Sequence, residues 1–124
     1  MLDVLIVDDS AAIRKILQRV LRQADLALGQ IYEAGDGVQA LQAMESRHVD
    51  LVFCDINMPN MDGLQLLGHI KGAEKWRKVP VIMVTTEGGE SKVMAAAKLG
   101  AAGYVRKPFS AEQFRQTLES ILAA

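Results

Sequence analysis

Asp8 and Asp9 stand side by side in VLIVDDSAAIRKIL (residues 4–17), Asp55 follows DLVFC, Thr85 follows VPVIMV, and Lys107 lies just beyond AGYV. Two carboxylates about 4 Å apart repel by roughly 1 kcal/mol in water and about 4 at an effective dielectric near 20, so adjacent aspartates need full hydration or a cation. Three carboxylates in one crevice suit a hard divalent ion, and Mg²⁺ takes a few carboxylates together with waters and phosphate oxygens. An aspartate beside such an ion, a hydroxyl and an ammonium can accept a phosphoryl group, with the carboxylate as nucleophile and the cations clamping the equatorial oxygens. The product is an acyl phosphate, with Thr85 donating a hydrogen bond to one phosphoryl oxygen and Lys107 pairing with another. A plainer reading of DDS is a solvated turn whose Ser10 caps a helix.

The choice between these readings depends on the elements that carry the residues. Apolar runs suited to buried parallel strands recur at LDVLIV (2–7), QIYEA (30–34), DLVFC (50–54), VPVIMV (79–84) and AGYV (102–105). Ile13, Ile16, Leu17, Val20 and Leu21 fall on one helix face between the first two. Shorter helical patterns follow at Val38, Leu41 and Met44, at Leu64, Leu67 and Ile70, and at Val93, Ala96, Ala97 and Leu99 ahead of a stop at Gly100. Phe114, Leu118, Ile121 and Leu122 repeat the pattern at the C-terminus, where SAEQ (110–113) supplies a capping box. Turn chemistry sits at GDG (35–37), NMPNMDG (57–63) and EGG (87–89). Strand and helix alternate five times, which predicts an α/β, doubly wound (βα)5 domain with a parallel sheet and helices on both faces. In such a sheet Asp8, Asp9, Asp55, Thr85 and Lys107 all fall at the carboxyl edge, where ligands bind. Charges scattered for solubility would not be expected to fall repeatedly at strand ends.

The chain has 124 residues, a common size for one domain, and a single domain over 1–124 with no effector domain is expected. A net charge of -1 leaves no overall electrostatic footprint for nucleic acid or an anionic membrane. The lone cysteine, Cys54, cannot form an internal disulfide, and no apolar run approaches the length of about 20 residues that spans a bilayer. A cytoplasmic, soluble protein is expected.

VDDS, CDINMPNMDGLQLL, PVIMVTTEGGE and AAGYVRKPFS, in this order, resemble the receiver domain of two-component response regulators, especially the stand-alone chemotaxis type. The resemblance covers essentially the whole chain. It implies a flavodoxin-like sheet of strand order 2-1-3-4-5 and a signalling switch rather than an enzyme, one that catalyses its own phosphorylation and dephosphorylation. It implies that Asp55 is the phosphoacceptor, that Asp9, Asp55 and the backbone carbonyl of Asn57 bind Mg²⁺, and that Asp8 supports the metal through water. Thr85 is then the switch hydroxyl, Lys107 the phosphate-binding lysine ahead of a cis peptide to Pro108, and Tyr104 the aromatic that turns inward. Asn57 and Glu87 match positions that tune phosphoryl lifetime, while Thr86 is bulkier than is usual there and would hinder entry of the phosphodonor or water. The implied partners are a sensor histidine kinase as phosphohistidine donor, a flagellar motor switch protein bound on the face of helix 4, strand 5 and helix 5, and a phosphatase. The alternative is a stand-alone receiver that relays phosphoryl groups or governs a target other than the motor.

Two rivals from other classes fit less well. Aspartyl-phosphate phosphohydrolases of the haloacid dehalogenase type place a second aspartate two residues after the nucleophile, where this chain has Asn57. A flavodoxin must cradle a phosphate in its first loop, where VDDS offers carboxylates. Cys54 is expected to be a buried, inert thiol. His48 and His69 have no ligand-spaced partner and no expected role, and the methionines are expected to fill core. Trp76, flanked by Lys75, Arg77 and Lys78, is either a packed loop anchor or a docking point for an acidic partner. Tyr104 read without the resemblance is an ordinary half-buried strand tyrosine. Lys92, Lys98 and Arg106 are surface positions where partner identity is written.

Overall fold

β1 (Leu2–Val7), β2 (Leu28–Ala34), β3 (Leu51–Cys54), β4 (Val81–Thr85) and β5 (Gly103–Arg106) are the apolar runs of the sequence, and they form one sheet in the order β2-β1-β3-β4-β5. Every neighbouring pair is parallel. The connections are α1 (Ala11–Gln23), α2 (Gly37–Ser46), α3 (Gly63–Gly72) and α4 (Glu90–Lys98), with α5 (Ala111–Leu122) closing the chain. The computed structural model describes residues 1–24, 27–86 and 89–122.

Side chains of a strand alternate between faces, and here the alternation sorts the core into two layers. Val4, Ile6, Leu51, Phe53, Ile82, Val84 and Val105 point to one face, where Leu17 and Leu21 of α1 and Phe114 and Leu118 of α5 cover them. Phe53 meets Phe114 edge to face at 5.4 Å. Leu5, Val7, Val52, Cys54, Val81 and Met83 point to the other face, under α2, α3 and α4. β3 and β4 are buried throughout. Such strands lack the polar alternation of a half-exposed sheet, which is why they read as continuous apolar runs.

Several boundaries and faces differ from the sequence reading. β2 begins at Leu28 rather than Gln30, because Leu2 pairs with Leu28 at the start of the ladder. β4 begins at Val81 rather than Val79, although the Pro80 carbonyl accepts a bond from the Val52 amide at 3.0 Å. Ile16 and Val38 lie on the expected apolar spacings but are each 43% exposed, since α1 and α2 meet the sheet along narrower stripes than the patterns suggest. On α4 only Ala96 is buried; Ala97 and Leu99 face outward, and Gly100 ends the helix at a positive φ of 98°. The capping box is present: the Ser110 amide donates to Gln113 Oε1 and the Gln113 amide to Ser110 Oγ. The Leu122 side chain and two residues of the EGG turn, Glu87 and Gly88, lie outside what is described. No helix among the described residues is long and apolar enough to cross a membrane.

Candidate acidic site at the carboxyl edge of the sheet

β1, β3 and β5 end side by side or one strand apart, so the residues that follow them share a crevice. Asp8 is buried at 2% exposure, Asp9 is exposed and Asp55 is buried. One carboxylate oxygen from each of the three lies within 4.8 Å of the others. Ser10 begins α1 as its N-cap, with its Oγ accepting from the Ile13 amide at 3.3 Å, so the plainer reading of DDS holds alongside the acidic cluster.

Lys107 reaches into this cluster from the end of β5. Its Nζ donates to Asp8 Oδ2 at 2.8 Å and to Asp55 Oδ2 at 3.1 Å, with only 14% of the side chain exposed. Burial pulls the ammonium toward neutrality, but the hydrogen bond to Asp8 and the charges of Asp55 and Asp8 outweigh it and raise its pKa. Burial raises the Asp8 carboxyl as well, against the opposing bonds from Lys107 and the Ser10 amide. A buried carboxylate beside two others is a group short of positive charge.

The Asp55 carboxylate is divided between two environments. Oδ1 accepts from the Ile56 amide at 2.7 Å and, at a long 3.4 Å, from the Asn57 amide, while Oδ2 faces Lys107. Its backbone is fixed by the Asp55 amide bonding to the Val7 carbonyl at 2.9 Å. Gly63, the first residue of α3, closes in from behind: a Cβ there would fall 2.0 Å from the Asp55 carbonyl oxygen. Thr85, the last residue of β4, is fully buried, and its carbonyl accepts from the Lys107 amide at 2.9 Å, tying the two strand ends together. Tyr104 is half-buried on β5 against the core under α4. Thr86 is exposed and lines a largely apolar recess with Ile13, Ile16 and Phe109 beside Lys107. The Lys107-Pro108 peptide is cis. Glu87 falls outside the described residues.

Sequence reasoning missed Arg14. Its Nη1 donates to the Asp8 carbonyl at 2.6 Å while its Nε pairs with Glu33 on β2 at 2.9 Å, so it pins the loop between the two aspartates to a neighbouring strand. A basic residue one turn into the helix that follows DDS was the available signal. The expectation for His48 is corrected: its Nε2 lies 2.8 Å from Asp50 Oδ1, in a group with Asp3 at the opposite edge of the sheet. There Asp50 accepts from the Asp3 amide and Asp3 from the Gln30 amide, so the group clips the starts of β1, β2 and β3 together. Cys54 is buried as expected, and burial first, then the nearby carboxylates, push its thiol pKa well up.

A hard divalent cation fits the donor set, since Asp8, Asp9 and Asp55 offer only carboxylate oxygens, one from each within 4.8 Å of the others. A five-stranded, doubly wound sheet with three aspartates, a threonine and a lysine at its carboxyl edge defines a receiver of the two-component type. The chain matches the response regulator receiver domain over residues 4–119 and belongs to that family. It is 39% identical over 118 residues to the chemotaxis protein CheY of Pseudomonas aeruginosa, covering 95% of this chain and 94% of that one. It is 38% identical to CheY-3 of Vibrio cholerae, covering 95% and 89%. Among solved structures it is similar to CheY4 of Vibrio cholerae, with a TM-score of 0.86 at 31% identity over 98% of each chain. It is also similar to the receiver domain of a signal transduction histidine kinase from Syntrophus aciditrophicus, with a TM-score of 0.86 at 26% identity over 99% of this chain and 91% of that one.

Proposed function

We propose that Asp55 accepts a phosphoryl group from the phosphohistidine of a sensor histidine kinase and that the protein thereby switches its binding to a target. The observation that carries this reading is Lys107 held between Asp8 and Asp55, 2.8 and 3.1 Å from their carboxylates, in a crevice of three aspartates. Asp55 Oδ2, the oxygen that faces Lys107 rather than the backbone, is the nucleophile. It forms the new P–O bond as the P–N bond to the donor imidazole breaks and the imidazole leaves. Asp9, Asp55 and the Asn57 carbonyl would hold Mg²⁺, with Asp8 supporting it through water; the ion supplies positive charge against the phosphoryl oxygens. Lys107 exchanges its carboxylate partners for a phosphoryl oxygen, and the Thr85 hydroxyl donates to another. Asn57, which is exposed, and Glu87 tune the lifetime of the acyl phosphate, and Thr86 at the mouth slows access to it.

Phosphorylation adds about -1.5 to -2 charge units at Asp55. Moving a two-state equilibrium from 1:99 to 99:1 takes about 5.5 kcal/mol, within reach of several charge-assisted hydrogen bonds of about 1.5–3 kcal/mol each. Displacement of Thr85 opens room for Tyr104 and alters the face of α4, β5 and α5. Met94 on α4 and Leu99, its C-cap, are 50% and 39% exposed, which supports a docking surface at this helix. The names of the curated relatives support a chemotaxis output; the target proposed for it is a flagellar motor switch protein, with a phosphatase resetting the switch. The likeness to a histidine kinase's receiver domain supports a second reading, a phosphorelay intermediate or a regulator of another target.

The test compares binding to a purified motor switch protein with and without Mg²⁺ and beryllofluoride. Tighter binding of the beryllofluoride form, lost in Thr85→Ala, is expected for the motor output. Equal binding of both forms rejects that target and leaves the relay reading, for which transfer from phosphorylated protein to a histidine phosphotransferase is the corresponding assay.

A further inference from the structure

Away from the acidic crevice, a cleft of about 470 Å³ runs between α2 and α3, with Val38, Leu41, Met61, Ala73 and Trp76 among its lining residues. Trp76, the chain's only tryptophan, packs one side against the core and is half-buried. Lys75 straps the cleft: its Nζ lies 4.5 Å from the centre of the Trp76 ring and pairs with Glu45 on α2. Both ends of that pair are 57% exposed, and exposed pairs are weak, so the strap is easily released.

The segment that lends Ala73, Lys75 and Trp76 to the cleft is basic, in a chain whose net charge is -1. Residues 71–78 carry Lys71, Lys75, Arg77 and Lys78 against the single carboxylate of Glu74. Lys71 turns back to the Arg77 and Val79 carbonyls at 3.1 and 2.7 Å. Arg77 and Lys78 are exposed and have no ion-pair partner among the described residues. An apolar floor between two helices, with two exposed cations following Trp76 in the chain, is complementary to an amphipathic helix carrying carboxylates beside its apolar stripe.

We propose that the α2–α3 cleft docks an acidic amphipathic helix of a partner protein, with its apolar stripe on Val38, Leu41 and Trp76 and its carboxylates on Lys75, Arg77 and Lys78. An incoming carboxylate displaces Glu45 from Lys75 and opens the strap. The docked helix also touches the loop that follows Asp55, because Met61 lines the cleft and its carbonyl accepts from the Gly37 amide at 3.3 Å. The adjacent Asn60 anchors that loop to Asp36 on the other side, Nδ2 to Oδ2 at 2.7 Å. This docking surface is separate from the α4, β5 and α5 face and does not depend on phosphorylation.

The probe is a synthetic peptide of about 18 residues, long enough for five helical turns, with a Leu stripe flanked by Glu and no tryptophan. A twin carries Lys in place of Glu. Each is titrated into the unphosphorylated full chain while Trp76 fluorescence and backbone amide shifts are followed. The proposal expects saturable binding of the acidic peptide alone, with shifts at Leu41, Met61 and Trp76. It expects about tenfold weaker binding in the Arg77→Glu, Lys78→Glu double variant and several-fold tighter binding in Glu45→Gln, which removes the competing carboxylate. Four outcomes overturn it: equal binding of both peptides, shifts confined to α4, β5 and α5, unchanged affinity in Glu45→Gln, or no saturable binding. Stronger competition by a single-stranded oligonucleotide at the same residues would also overturn it, assigning them to nucleic acid. All variants are at exposed positions, and circular dichroism confirms their folding.

Discussion

Asp8 is a buried carboxylate within 4.8 Å of two others. Its pKa is raised by burial despite the bonds from Lys107 and the Ser10 amide, so the folded chain binds that proton more tightly than the unfolded chain does. Stability from this group is therefore greatest below the ordinary aspartate range and falls as pH rises through the raised value. Asp8→Asn keeps an acceptor for the Ser10 amide and removes one charge from the crevice. In EDTA at neutral pH it should raise unfolding free energy by on the order of 1 kcal/mol, the repulsion of one carboxylate pair near 4 Å in water. Mg²⁺ at a hundredfold excess over its dissociation constant should stabilise the unmodified chain by about 2.7 kcal/mol and the variant by much less. Urea titrations with and without Mg²⁺ read both effects, and a variant less stable than the parent in EDTA contradicts this electrostatic account. Asp36, the N-cap of α2, behaves in the opposite sense. Bonds from the Gln39 amide and then Asn60 hold its carboxyl below the usual range. Its contribution is present above the ordinary aspartate value and is lost as pH falls through the lowered one, around or below pH 4. Asp36→Asn should flatten that acid limb of a thermal-melt series.

At the level of elements, α3 is the piece that fixes the phosphoacceptor candidate from behind. Gly63 has no room for a side chain, because its Cβ would strike the Asp55 carbonyl, and its own amide bonds to the Ile56 carbonyl at 2.8 Å. Gly63→Ala should therefore cost about 1–3 kcal/mol in overpacking and displace the Asp55 backbone, read by denaturant titration and by amide shifts at Ile56. An unshifted, equally stable variant would contradict the close approach. The same level explains what the sequence reveals and what it hides. β1 is legible because Val4–Val7 is continuously apolar and the run stops at charged Asp8. The start of β2 is not, since Leu28 and Gly29 join the sheet through backbone pairing with β1 rather than through an apolar pattern. Asp8, Asp9 and Asp55 are legible as a site because each follows a strand, and a parallel sheet brings those ends together. The grip of Lys107 on Asp8, across 99 positions, and that of Arg14 on the Asp8 carbonyl have no local signature and emerge only from the packed chain.

Across the whole molecule, the sheet separates two functions. The layer under α1 and α5 is an apolar block, in which Phe114 meets both Phe53 and Phe109 edge to face. The other layer carries the pieces that a switch requires: α4 with a single buried alanine, Tyr104 half-buried beneath it, and the loop after Asp55 pinned by Asn60 and Met61. Thr85 and Lys107 join the two through the bond between the ends of β4 and β5. On the proposed reading a charge placed on Asp55 acts on Lys107, whose amide makes that bond, and α4, with Ala96 alone buried, has little packing to oppose movement. The central claim is that Asp55 takes the phosphoryl group, and intact-mass measurement after incubation with acetyl phosphate tests it most directly. The expected result is a Mg²⁺-dependent gain of one phosphoryl group, absent in EDTA and in Asp55→Asn. No gain under any condition, or a gain that persists in Asp55→Asn, would contradict it.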